Sequence, residues 1–200
     1  MTNTINKPSV WAFEVDQVQN WAYWDNLFSK EECQKIIEIG ESSILQPGKV
    51  GDGNELNTNK QIRESEISWL FPSDETEFMF RKVTDAVMGL NRQFFNFDLF
   101  GLAEGFQFTK YNAPSGFYGS HIDKRLNSAV RKLSVTIQLS SDEDYEGGQL
   151  ALQFGKDPEL MDTAQGKLIA FPSYVLHEVK PVTKGTRYSL VAWATGKPFK

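Results

Sequence analysis

The nine residues RKLSVTIQL, numbers 131–139, alternate two kinds of side chain with a period of two. Leu133, Val135, Ile137 and Leu139 fall on one side, and Ser134, Thr136 and Gln138 on the other. Strand geometry sends alternate side chains to opposite faces, so this segment reads as a strand with an apolar and a polar, uncharged face. The following stretch SSDEDYEGG, 140–148, is a turn cluster, and 149–154 resume the apolar run. Working outward, the same texture covers everything from Phe97 onward. Strands are predicted near 103–111, 117–123, 131–139, 149–154, 167–171, 177–182 and 186–194, separated by clusters of Asn, Pro, Ser, Asp and Gly. A string of short strands preceded by helices predicts a mainly β fold, a sandwich or jelly roll buttressed by N-terminal helices.

The first half supplies the helices. Ser29 with Glu32 three places on is a capping-box pattern, and Cys33, Ile36, Ile37 and Gly40 then mark one stripe. A second helix is expected after Pro72-Ser73, with Asp74, Glu75 and Glu77 complementing its dipole and Phe78, Val83, Val87, Leu90 and Phe94 as its apolar face. Between them, 46–59 is polar and rich in Gly and Pro, which reads as a long surface loop and a candidate lid, as does 141–147. The first eight residues read as a tail, and 10–13 as the start of a strand. The expected organisation is one domain over 1–200, with helical support at about 26–95 and a β core at about 97–195.

Composition narrows the function classes. A hydrophobic content of 40% in 200 residues can build a core. The net charge of −5 argues against nucleic acid as a standing partner. No apolar run approaches the roughly 18 residues that a spanning helix needs, and the N-terminus lacks a leader pattern. With one cysteine, Cys33, these features predict a cytoplasmic protein without a membrane partner; oligomeric state is not legible.

There are only two histidines, His121 and His177. His121-Ile122-Asp123 lies on a predicted strand, where an imidazole and a carboxylate two residues apart share a face. A second imidazole from His177 would complete the two-nitrogen, one-oxygen facial set of non-haem iron(II) oxygenases, which leaves coordination positions open. Zinc is the rival metal, although structural zinc sites close with four protein ligands. Arg187 shares a strand face with Ser189, Val191 and Trp193, so it reads either as a surface cation or as a partly buried one that requires an anion.

The ordered pattern Tyr111-x6-Tyr118-x2-His121-x-Asp123, then Tyr145-Glu146-Gly147-Gly148-Gln149-Leu150, Phe171-Pro172-Ser173 and His177-x9-Arg187-x5-Trp193, resembles prolyl-4-hydroxylase-like 2-oxoglutarate/iron(II) oxygenases, nearest to the bacterial and phage PKHD-type hydroxylases. The resemblance implies a double-stranded β-helix (jelly roll) with Fe(II) held by His121, Asp123 and His177. It implies that Arg187 binds the distal carboxylate of 2-oxoglutarate and that Tyr111 hydrogen-bonds the same co-substrate. Gln138 stands where some relatives carry a co-substrate-binding Tyr, and Ser134 and Ser189 are further candidate contacts. The implied reaction hydroxylates an unactivated C–H bond, of a prolyl or other residue in a peptide or protein, releasing succinate and CO2, with ascorbate as reductant. Against it stand a non-catalytic jelly-roll binding module, a small-molecule oxygenase of the same fold, and a cupin-like metal enzyme indifferent to 2-oxoglutarate.

Overall fold

The computed structural model describes residues 18–51, 57–123 and 130–198. The strand expected at 10–13 lies outside them. The elements in chain order are β1 (Ala22–Trp24), α1 (Lys30–Ser42), β2 (Gln46–Pro47), β3 (Arg63–Glu64), β4 (Glu66–Leu70), α2 (Glu77–Leu90) running on into a π-helical turn (Asn91–Phe95), β5 (Leu99–Leu102), β6 (Phe106–Asn112), β7 (Phe117–His121), β8 (Arg131–Gln138), β9 (Tyr145–Gly147), β10 (Leu150–Gln153), β11 (Glu159–Leu160), β12 (Leu168–Pro172), β13 (Leu176–Val179) and β14 (Val182–Gly196).

All strand pairs are antiparallel and fall into two sheets. The larger runs β1-β12-β8-β14-β6-β4-β2, with β5 and β9 also on β14; the smaller runs β11-β10-β13-β7-β3. The two sheets face each other as a jelly roll, the double-stranded β-helix. β14 is its spine, pairing with β8, β6, β5 and β9 along its length.

The period of two in β8 decides what lies on each side of the large sheet. Leu133, Val135 and Ile137, with Phe106, Phe108 and Leu190 from neighbouring strands, are fully buried against α1 and α2. Cys33, Ile36 and Ile39 from α1 and Met79, Val83 and Val87 from α2 fill the other half of that core. Burial of the thiol drives the Cys33 pKa up to about 12, and Glu32 adds to the effect, so it is a packing residue and not a nucleophile. The polar face of β8 lies on the opposite side from the helices.

The helix signals translate into geometry with some shifts. Ser29 Oγ accepts from the Glu32 N–H at 3.2 Å, and the Glu32 carboxylate accepts from the Ser29 N–H at 2.8 Å, a complete capping box. Lys82 of α2 binds that carboxylate at 2.6 Å and ties the two helices together. Ser29→Ala should therefore lower stability by about 1 kcal/mol, read as a lower urea midpoint at unchanged slope. An unchanged midpoint would deny the cap any weight.

α2 begins at Glu77, later than expected, because Thr76 Oγ1 donates to the Phe71 carbonyl at 2.6 Å and accepts from the Ser73 N–H at 2.9 Å, closing a turn first. Asp74 and Glu75 thus precede the helix, and only Glu77 acts on its first turn. Two further corrections concern 26–95 and the candidate lids. The helical region also contributes β2, β3 and β4, and Gln46–Pro47 is paired to β4 instead of hanging as a loop. In the segment 141–147, Tyr145–Gly147 is strand β9, anchored on β14.

Candidate active site

Two β-bulges aim the site. Between β13 and β7, His177 pairs with His121 but Val179 pairs with Tyr118, so β7 carries one extra residue. The bulge turns Tyr118 and His121 to the same face, where their rings stack at 3.6 Å. On β8, Thr195 pairs with Arg131 but Ala194 with Leu133, and the extra residue Lys132 swings Arg131 toward the cavity.

His121 and His177 are cross-strand partners whose rings lie 4.1 Å apart. Each Nδ1 faces the backbone carbonyl two residues earlier, His121 to Gly119 at 2.8 Å and His177 to Val175 at 2.9 Å. A carbonyl can only accept, so each Nδ1 holds the proton and each Nε2 presents a bare lone pair. Asp123 lies past the end of β7, a departure from the strand that the sequence predicts. Its N–H donates to the Ser173 carbonyl at 3.0 Å, which brings the carboxylate back between the rings. Asp123 Oδ1 is 3.8 Å from His121 Nε2, and Oδ2 is 3.5 Å from His177 Nε2. The three ligand atoms all lie within 4.8 Å of one another.

Electrostatics keep this set ready for a cation. Burial, followed by the neighbouring His177, lowers the His121 pKa to about 4, so the ring is neutral at pH 7. Burial works against an ionised Asp123, but the attraction of either imidazole when protonated, together with the Ser134 hydroxyl, outweighs it and holds the carboxyl below its ordinary range. Ser134 Oγ donates to Asp123 Oδ2 at 2.7 Å and lies 3.0 Å from the Ser173 hydroxyl. The Trp193 indole N–H leans toward the same carboxylate without reaching hydrogen-bond geometry.

A cavity of about 810 Å³ opens beside these ligands, and Arg187, Tyr111 and Ser189 line it with them. Arg187 is 2% exposed and its Nε donates to Gln138 Oε1 at 3.1 Å, while Nη1 is buried with no partner among the described residues. The Gln138 amide nitrogen donates to the Tyr145 hydroxyl at 2.8 Å, and the guanidinium lies 5.4 Å over the Tyr111 ring. Gly148, at φ +66°, closes the turn after β9; a Cβ there would meet Arg187 Cδ at 2.9 Å.

Two of the residues expected to contact the co-substrate are hydrogen-bonded to other site residues. Gln138 steers Arg187 and Tyr145, and Ser134 steers Asp123; neither lines the large cavity. The sequence reading missed Arg131, Ser173 and Tyr145. Ser173 and Tyr145 sat inside motif segments and could have been flagged. Arg131 had no signal, because the bulge that aims it breaks the period.

Those residues fit the groups that the motifs imply. Two bare imidazole nitrogens and one carboxylate suit a ferrous ion, and an orphaned buried guanidinium nitrogen suits a carboxylate. The Ser134 contact supplies a test: Ser134→Ala should weaken Fe(II) affinity by roughly ten- to a hundredfold, as loss of a ligand's supporting hydrogen bond does. Anaerobic iron titration reads it, and wild-type affinity would show that the contact does not position Asp123.

Comparison with known proteins identifies the family. The sequence model described as the 2OG-Fe(II) oxygenase superfamily matches residues 106–195. A PKHD-type hydroxylase of Prochlorococcus marinus (strain NATL2A) is 31% identical over 174 residues, which is 84% of this chain and 75% of that protein. Another from Idiomarina loihiensis is 38% identical over 78 residues, 38% of this chain and only 36% of the relative's own length. Among solved structures, a Trichoplax adhaerens prolyl hydroxylase in complex with a hypoxia inducible factor peptide fragment matches with a TM-score of 0.74 at 20% identity, over 88% of this chain and 84% of that one. A Pseudomonas putida prolyl-4-hydroxylase matches with a TM-score of 0.66 at 20% identity, over 90% and 94%. At such identity the structural likeness bears on the fold.

Proposed function

Since the chain belongs to the PKHD-type hydroxylases of the 2OG-Fe(II) oxygenase superfamily, we propose that it hydroxylates an unactivated C–H bond of a prolyl or other residue in a peptide or protein, converting 2-oxoglutarate to succinate and CO2. Membership makes it a dioxygenase that uses Fe(II) and 2-oxoglutarate. The observation that carries the reading is the meeting of three ligand groups within 4.8 Å, in the same cavity as a buried guanidinium.

When bound, iron and 2-oxoglutarate supply the oxygen activation and the oxidising power, while the protein supplies position and electrostatics. His121 and His177 would offer Nε2, each ring locked by its Nδ1 hydrogen bond, and Asp123 would offer a carboxylate oriented by Ser134. Arg187 would take the distal carboxylate through its free Nη1, with Gln138 fixing the plane of the guanidinium. Tyr111 and Ser189 would flank that carboxylate from β6 and β14, where they are cross-strand neighbours of Arg187 and Thr109. Trp69 and Trp193, 6.1 Å apart, give the cavity an apolar wall against which a substrate can exclude water. A peptide bound to a neighbour of the same fold supports a peptide substrate here.

The test is succinate formation from 2-oxoglutarate with Fe(II), oxygen and ascorbate, together with a mass gain of one oxygen in a peptide library. Absence of succinate on prolonged incubation of iron-loaded protein would reject the reading in favour of a binding module. Succinate with oxidation of small molecules only would reject the peptide.

A further inference from the structure

The cavity is electropositive although the chain is acidic. Among the described residues Lys49, Arg63, Arg131 and Arg187 line it, and Asp123 is the one carboxylate that does. Arg131 is neutralised from behind by Glu104 at 2.5 Å, and Arg187 is matched by the co-substrate in the reading above. A ferrous ion and a doubly charged co-substrate cancel one another, so binding both leaves the excess in place.

Arg63 is the buried part of that excess, Lys49 the exposed part. Arg63 is 5% exposed, and among the described residues its guanidinium meets only neutral acceptors. Nε donates to Ser65 Oγ at 2.8 Å, Nη2 to Gln107 Oε1 at 2.8 Å and Nη1 to the Lys49 carbonyl at 3.4 Å. No carboxylate pairs with it among the described residues. A buried cation without a counter-charge is unfavourable unless an anion arrives to pair with it. The Nη1 bond is the long one, so that nitrogen is the weakest held and the readiest to change partner.

Its position is as telling as its charge. The guanidinium lies 4.5 Å over the Tyr118 ring, and the other face of the site's aromatic stack is Tyr118 on His121 at 3.6 Å. Arg63 is thus one ring away from a metal ligand, held there by β3 pairing with β7. The backbone at Gly48 closes against the same side chain, where a Cβ would collide with Nε and with Ser65 Oγ. Three elements converge to hold a cation that no described residue neutralises.

We propose that Arg63 is the receptor for a carboxylate of the substrate, so that this enzyme selects acidic substrates and positions the oxidised C–H bond relative to that anion. The inference rests on the hydroxylase reading and adds the substrate's chemical class. An acidic side chain within a peptide and the free carboxylate of a small molecule share this chemistry.

Iron-loaded enzyme with 2-oxoglutarate and oxygen separates the cases. One probe is a pair of end-capped peptide libraries with a randomised centre, flanked by Asp or Glu in the first and by Asn or Gln in the second. The other is N-acetylproline beside its amide. Binding to the anaerobic complex is read from the change in total tryptophan fluorescence, to which Trp69 and Trp193 on the cavity wall respond, and turnover from succinate above the substrate-free rate. The acidic probe should bind and stimulate about tenfold or more better than its amide twin, as hydrogen bonds to a charged group require. Arg63→Gln should erase that ratio, and Arg63→Lys should restore part of it. A preference within the peptide pair assigns the carboxylate to a side chain, and one within the N-acetylproline pair to a free acid. Equal response to acid and amide, no response to any acidic probe, or a ratio that survives Arg63→Gln would each overturn the proposal. The wild-type comparison stands even if a variant fails to fold. Succinate formed without any probe tests the hydroxylase reading separately, and its absence would overturn both.

Discussion

Replacing His121 or His177 with alanine will reduce iron-dependent turnover by more than roughly a hundredfold while the fold persists. Losing a group that merely supports a ligand already lowers metal affinity by about ten- to a hundredfold, so losing the ligand itself should exceed that. Neither ring belongs to the core beneath the helices; both face the cavity, and their backbone pairing on β7 and β13 does not depend on the side chain. Tyr118 loses its stacking partner in the His121 variant, so a small drop in Tm is expected there. Iron content, succinate release and circular dichroism together check this. Near-normal turnover from either variant would remove that residue from the ligand set, and a collapsed spectrum would make it structural.

The second large effect belongs to Arg187. Its Nη1 has no partner among the described residues, and its Nε bond to Gln138 holds the group in one plane. Truncating one side of a buried, hydrogen-bonded charge pair costs about 2–5 kcal/mol, roughly thirtyfold or more in affinity. Arg187→Ala should therefore raise the KM for 2-oxoglutarate by at least that factor. Lysine should recover little, because it lacks the planar fork that Gln138 and a carboxylate can engage together. Gln138 would also lose its acceptor's partner, so some loss of stability should accompany the change. An unaltered KM would support an enzyme indifferent to 2-oxoglutarate.

How much of this was legible depends on whether a feature obeys a period. The alternation in β8 separated the side packed under the helices from its opposite face, that in β14 put Arg187, Ser189, Val191 and Trp193 on one side, and the Ser29–Glu32 spacing located α1. Two histidines in a chain with no others drew attention to themselves. Periodicity fails where the chain breaks it. The bulges at Lys132 and in β7 re-aim Arg131 and Tyr118, and Asp123 reaches the site from beyond a strand end. Two-residue edge strands such as β2 and β3 are too short to show alternation. A face assignment also says nothing about cross-strand neighbours. Ser189 opposite Gln138 on β14 and β8 places Gln138 beside Arg187, and Phe171 opposite Ser134 on β12 and β8 puts Ser134 near Ser173, a matter of register that no single strand encodes.

The spine of the large sheet has a bearing on how the chain is born. Every partner of β14, namely β5, β6, β8 and β9, comes before it in sequence. During synthesis the ribosome therefore releases β6 and β8 with open edges that only the later strand can seal, an interval in which exposed hydrogen-bonding edges invite aggregation and chaperone attention. Both imidazoles and the carboxylate have emerged by then, whereas Arg187 travels on the closing strand itself. Completion of the large sheet and arrival of Arg187 in the cavity are thus one and the same event.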